Sequence, residues 1–171
     1  MRTPVYELHI RAMVRQIDRE HMRQGPPSFA MDLWNYDDVV AHADEILNRV
    51  AADMPPADWG GPWPAEWVAL FQRWKDTGFK RLETGTGTFT RQAGATSVRL
   101  RATGMFPAAG YKGWLQLDQL TDTERHYTLV FEKPDAPNSG TPAAFTITEK
   151  FPAPDTKTIF VTDATGVHTV A

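Results

Sequence analysis

Apolar residues recur along this chain with two different periods, and the period changes once. Up to Leu82 they return every three or four residues, the spacing that keeps one face of an α-helix apolar. From Glu83 onward they alternate with polar residues, as in a half-buried strand. The change predicts two domains, a helical one over 1–82 and a β-rich one over 83–171.

The helical segment carries three stripes. Tyr6, Ile10, Met13, Val14 and Ile17 form the first, which Gly25-Pro26-Pro27 ends. The second opens at Asn35, a good N-cap, with Asp37 and Asp38 where the helix dipole favours negative charge. Its apolar face is Val39, Val40, Ala43, Ile46, Leu47 and Val50, and Pro55-Pro56 stops it. The third opens with Pro64 as first helical residue, groups Trp67, Leu70, Phe71 and Trp74, and stops at Gly78. A three-helix core is the expectation. Between the second and third stripes, Met54–Trp63 is a loop rich in Pro and Gly whose Trp59 and Trp63 must pack on their own domain or meet a partner.

In the second segment, Val98, Leu100 and Ala102 alternate with Arg99 and Arg101, which gives a strand with a basic outer face. Residues 114–118, 126–132, 145–148, 157–162 and 167–170 read as further strands, with a hairpin turn at Asp163-Ala164-Thr165-Gly166. No helical pattern separates them, so the expected architecture is an antiparallel β-sandwich or small barrel, and the whole chain is α+β. Gly85-Thr86-Gly87-Thr88 lacks the Lys-Ser/Thr of a phosphate loop and reads as the joint between the halves.

Within residues 5–80, three stretches suggest a family. They are Ile46-Leu47-Asn48-Arg49-Val50, Met54-Pro55-Pro56, and Phe71-Gln72-Arg73-Trp74-Lys75-Asp76-Thr77-Gly78. Their order resembles a small bacterial cytochrome c domain, in which Met-Pro-Pro often carries the axial Met ligand and a last helix closes the fold. Haem attachment in that family needs Cys-x-x-Cys-His, whereas the corresponding segment here reads Ile17-Asp18-Arg19-Glu20-His21. Covalent haem is therefore impossible. His21 and Met54 would be the axial pair of a non-covalent haem, but nothing else would hold the macrocycle, so the expectation is a haem-less domain with no cofactor. Trp34, Trp59, Trp63 or Phe71 would fill the vacated space.

Composition changes this picture little. The net charge of −3 is shared as −2 over residues 1–82 and −1 over 83–171, without the clustered positive field that phosphate backbones demand. Nucleic acid is thereby disfavoured as a partner. No run of about 18 apolar residues occurs, so no membrane span is expected, and the start lacks the apolar stretch of a signal peptide. The cytoplasm is the expected compartment. The chain has no Cys, which removes disulfides, thiolate metal sites and Cys nucleophiles.

Candidate chemistry is sparse. His9, His21, His42, His126 and His168 show no metal-ligand spacing, and Ser28, Ser97 and Ser139 lie in no nucleophile motif, so no metal site is expected. Arg99 and Arg101, with Lys112 and Arg125, are candidates for one basic strand face that takes an anionic partner. Trp34, Trp59, Trp63, Trp114 and His126 are the remaining candidates for contact with a ligand or partner. The leading expectation is a non-catalytic accessory protein that binds a protein partner or a small molecule. The alternative is an acid–base enzyme, such as an isomerase or cyclase, with those Trp residues and His126 lining a pocket where the halves meet.

Overall fold

The computed structural model describes residues 2–25, 30–52, 55–136 and 140–171, with the backbone alone at Trp59. The chain forms two compact units, Met1–Arg81 and Leu82–Ala171. Among the described residues no helix is long and apolar enough to cross a membrane.

The first unit is helical, with more breaks than the three stripes predict. A π-helical turn, Tyr6–Ile10, runs into α1 (Arg11–Met13), followed by α2 (Gln16–Arg23), α3 (Tyr36–Ala41), α4 (Ala43–Ala52), a 3-10 turn (Ala57–Trp59) and α5 (Ala65–Asp76). The first stripe breaks because Val14 and Arg15 leave the helical region, with ψ of 112° and 153°. The Arg15 N–H donates instead to the Asp18 carboxylate at 3.1 Å, which starts a new helix. The second stripe is interrupted only at His42 (φ −111°, ψ 15°). An interruption this short leaves Val39, Ala43 and Ile46 on one buried side, so the periodicity does not register it. Asn35 caps α3 as expected, accepting from the N–H groups of Asp37 and Asp38. Pro64 stands one place before its expected position, as the N-cap of α5 (φ −56°, ψ 146°).

Aromatic rings fill the core of this unit. Trp74 is fully buried, meets Phe71, Phe79, Tyr6 and Tyr36, and donates its indole N–H to the Lys80 carbonyl at 2.8 Å. Past α5 the chain turns through Gly78 (φ +87°) and then Phe79 (φ +57°). A left-handed backbone costs a side-chain-bearing residue about 1–2 kcal/mol. Phe79 offsets this by packing edge-on to Trp74 at 5.0 Å and by accepting the Tyr36 hydroxyl at its carbonyl.

Among its described residues the second unit has eight strands: β1 (Glu83–Thr84), β2 (Thr88–Ala93), β3 (Ser97–Phe106), β4 (Lys112–Leu120), β5 (Glu124–Glu132), β6 (Ala143–Pro152), β7 (Thr158–Asp163) and β8 (Gly166–Val170). In one sheet β5 pairs with β4 on one edge, with β1 and β7 on the other, and β8 lies beyond β7. The other sheet is β2-β3-β6. Val98, Leu100, Phe145 and Phe151 from the small sheet share one core with Leu115, Leu129, Phe131, Ile159 and Val161 from the large one.

Two expectations need correction. The sheets are open, so the barrel alternative falls. Nor is the pairing antiparallel throughout, because β5 and β7 run parallel. β6 belongs to the other sheet, so the chain leaves β5, crosses over and re-enters beside it in the same direction. Alternation marks a strand without saying which neighbour it pairs with.

Gly85-Thr86-Gly87 is also not a joint between the halves, since it lies within the second unit and carries the chain from β1 in one sheet to β2 in the other. A Cβ at Gly85 would lie 2.4 Å from the Phe131 ring, so the crossing needs a glycine there.

Candidate functional site

Because Val98, Leu100 and Ala102 point into the core, Arg99, Arg101 and Thr103 point out of the sheet. The register extends that outer face to both neighbours. Arg99 stands between Gln92 of β2 and Lys150 of β6; Arg101 stands between Thr90 and Thr148; Thr103 stands between Thr88 and Thr146. The three rows contain only Thr, Gln, Arg and Lys. Arg99, Arg101 and Lys150 are exposed, and among the described residues their side chains make no hydrogen bond or ion pair. A shallow cleft of about 670 Å³ lies over this face.

Local stability does not call for such a face. Like charges directly opposite one another destabilise a sheet, and the Arg99–Lys150 row is of that kind. What the arrangement offers is three positive charges flanked by hydroxyls, ready to donate to an anion.

Sequence reasoning found Arg99 and Arg101 but gave them the wrong companions. Arg125 faces elsewhere: its guanidinium donates Nε and Nη2 to Asp155 at 2.9 and 2.6 Å and lies 4.4 Å from the Phe151 ring centre. Lys112 is on β4, in the other sheet. Lys150 was missed, because only the β3–β6 register brings it beside Arg99.

Of the aromatic candidates, Trp34 and Trp63 make contacts within their own unit. Trp34 lies against Arg11 and Arg19, whose guanidinium carbons are 5.3 and 4.3 Å from its ring centre. Arg19 also holds Asp32 through two 2.7 Å bonds, and this pairing pulls the Asp32 carboxyl down to about 2. Trp63 is buried edge-on to Trp67 and Phe71, and its indole N–H points to Asp18 at 3.4 Å. Arg15 secures the loop before it, pairing with Asp18 and donating to the carbonyls of Gly60 and Gly61 at 2.6 and 3.0 Å. The described part of this loop therefore packs on its own unit. Trp114 is half-buried on β4 opposite Val130. Met54, Ser28, Ser139 and the Trp59 side chain lie outside the described residues.

His126 contacts Glu124 at 2.9 Å and stacks on Phe160 with ring centres 4.8 Å apart. A second His–acid pair escaped the sequence reading, in the β7–β8 turn. Asp163 is buried and accepts from the Gly87 N–H, the Thr165 N–H and the Thr165 hydroxyl, with His168 Nε2 at 2.9 Å. Burial pushes its carboxyl up, but these bonds outweigh burial and hold it well below the usual carboxylate range. Thr, His and Asp in contact have the composition of a nucleophile triad. The geometry is not that of one, because the same nitrogen, Nε2, faces both the Thr165 hydroxyl at 3.1 Å and Asp163. This is a turn held by its own side chains, and Asp-x-Thr-Gly at 163–166 was its available signal.

His21 lines a small, partly open apolar cavity in the helical unit, with Ile17, Leu33, Ile46, Val50 and Trp63. The cavity measures about 50 Å³, room for a few water-sized groups and far too little for a porphyrin. The thiols of covalent attachment are absent, and Met54, the other expected axial residue, lies outside the described residues. Among the described residues no group of three or more His, Asp or Glu is placed to hold a metal ion.

No protein-family model matches the chain, and no curated protein or solved structure matches it.

Proposed function

We propose that this chain is a non-catalytic binding protein that holds an anionic partner on the outer face of β2-β3-β6. The observation that carries the reading is the set of three exposed cations, Arg99, Arg101 and Lys150, with no acidic side chain among the described residues of that face. The Thr165–His168–Asp163 contacts add support, since one nitrogen of His168 faces both partners and cannot relay a proton in the manner of a triad.

The helical unit is, on the same proposal, a cytochrome c-like domain without its haem that serves as a docking module. The small cavity beside His21 and the ring-filled core around Trp74 support that reading. The protein mixed with haem should give no shifted Soret band, before or after His21→Ala. A haem spectrum that depends on His21 would contradict it.

Exposed ion pairs contribute about 0.2–1 kcal/mol each and weaken with salt. Binding through this face is accordingly modest and salt-sensitive. Titration of the purified protein with a soluble polyanion such as poly-Asp should show saturable binding at low salt. Arg99→Ser, Arg101→Ser and Lys150→Ser together should abolish it, and all three side chains are exposed, so the fold should persist. Unchanged binding by the triple variant would refute the assignment.

A further inference from the structure

We infer that the partner on this face is an extended acidic polypeptide segment, with carboxylates on alternate residues, lying along β3. The inference rests on the anionic-partner reading of the same face and narrows it. Arg99 and Arg101 are two residues apart on one strand, which separates them by about 6.8 Å. Alternate side chains of an extended peptide project to one side with that same repeat. Two of its carboxylates can therefore meet two guanidinium groups at once, each carboxylate accepting two parallel N–H bonds from one guanidinium. Lys150, about 5 Å across the sheet from Arg99, broadens the positive end of the track. Thr90 and Thr148 flank Arg101 on both sides, and their hydroxyls can pair with the peptide's own backbone groups. A nucleic-acid strand fits less well. Bases need an aromatic platform, and no aromatic side chain stands in the three rows of this face.

The test uses the full chain and two labelled peptides of about eight residues, long enough to run the length of β3. Both carry the same number of Asp residues among Ser, in one on alternate positions and in the other on every third position, where successive carboxylates project to opposite sides. A single-stranded oligonucleotide and a polyuronate chain are titrated in parallel. The alternating peptide should bind about five-fold tighter than the every-third peptide, and Arg101→Ser should erase that preference. Equal affinity for both peptides would overturn the spacing while leaving the anionic-partner reading in place. Tighter binding of the oligonucleotide or the polyuronate would overturn the polypeptide as occupant. Binding of none of the four would overturn both the inference and the reading beneath it.

Discussion

Lys150 on β6 stands in register with Arg99 on β3, so two cations share one row of the sheet. Repulsion in such a row costs stability, and an opposite charge there would add about 0.2–1 kcal/mol. Lys150→Glu should therefore raise the urea midpoint slightly while weakening poly-Asp binding at low salt. A variant that gains stability and keeps its affinity would separate Lys150 from the binding face.

Gly85 should tolerate no side chain. The Cβ of Gly85→Ala would sit 2.4 Å from the ring of Phe131, which is itself packed in the core. Overpacking of this kind costs about 1–3 kcal/mol. Phe131→Leu is destabilising alone but should recover part of that loss in the double variant, as a double-mutant cycle in urea would read. Strict additivity of the two would mean that the clash is relieved elsewhere.

These two positions show how differently parts of the fold were legible. The outward direction of Arg99 and Arg101 followed from alternation alone, because Val98, Leu100 and Ala102 had to face the core. Lys150 could not be found that way, since its place depends on pairing with a strand some 50 residues earlier in the chain. The parallel β5–β7 pair was hidden for the same reason. In the helical unit the apolar stripes were visible, but the break at Arg15 depends on a local contest that periodicity does not report. Asp18 bonds the Arg15 backbone and side chain and so ends one helix and starts the next.

Acid should weaken the β unit through Asp163. Its carboxyl is held below the usual range in the folded chain, so its contribution is complete above the unfolded value near 4 and is lost as pH falls below it. Asp163→Asn should start about 2 kcal/mol less stable at pH 7, having lost charged bonds to buried donors. It should also lose less than the parent between pH 5 and pH 3. Asp32 and Asp155, whose carboxyls are likewise held low, leave a residual slope. Thermal melts across that range check this, and parallel curves for the two proteins would remove Asp163 as the cause.

Arg15→Ala should destabilise the helical unit by about 1–3 kcal/mol, because it leaves the buried Asp18 carboxylate without its cation and frees the Gly60 and Gly61 carbonyls. Asp18→Asn in the same chain should recover part of the loss by removing the stranded charge. Indole fluorescence during urea unfolding follows it, and an Arg15→Ala midpoint equal to the parent's would contradict the clamp.

The proposed binding face is tested most directly by amide chemical shifts during titration of isotope-labelled protein with the alternating acidic peptide at low salt. The shifts should concentrate on Thr90, Gln92, Arg99, Arg101, Thr148 and Lys150 and vanish as salt is raised. Saturable shifts clustered elsewhere, or none on β2, β3 and β6, would contradict the assignment of that face.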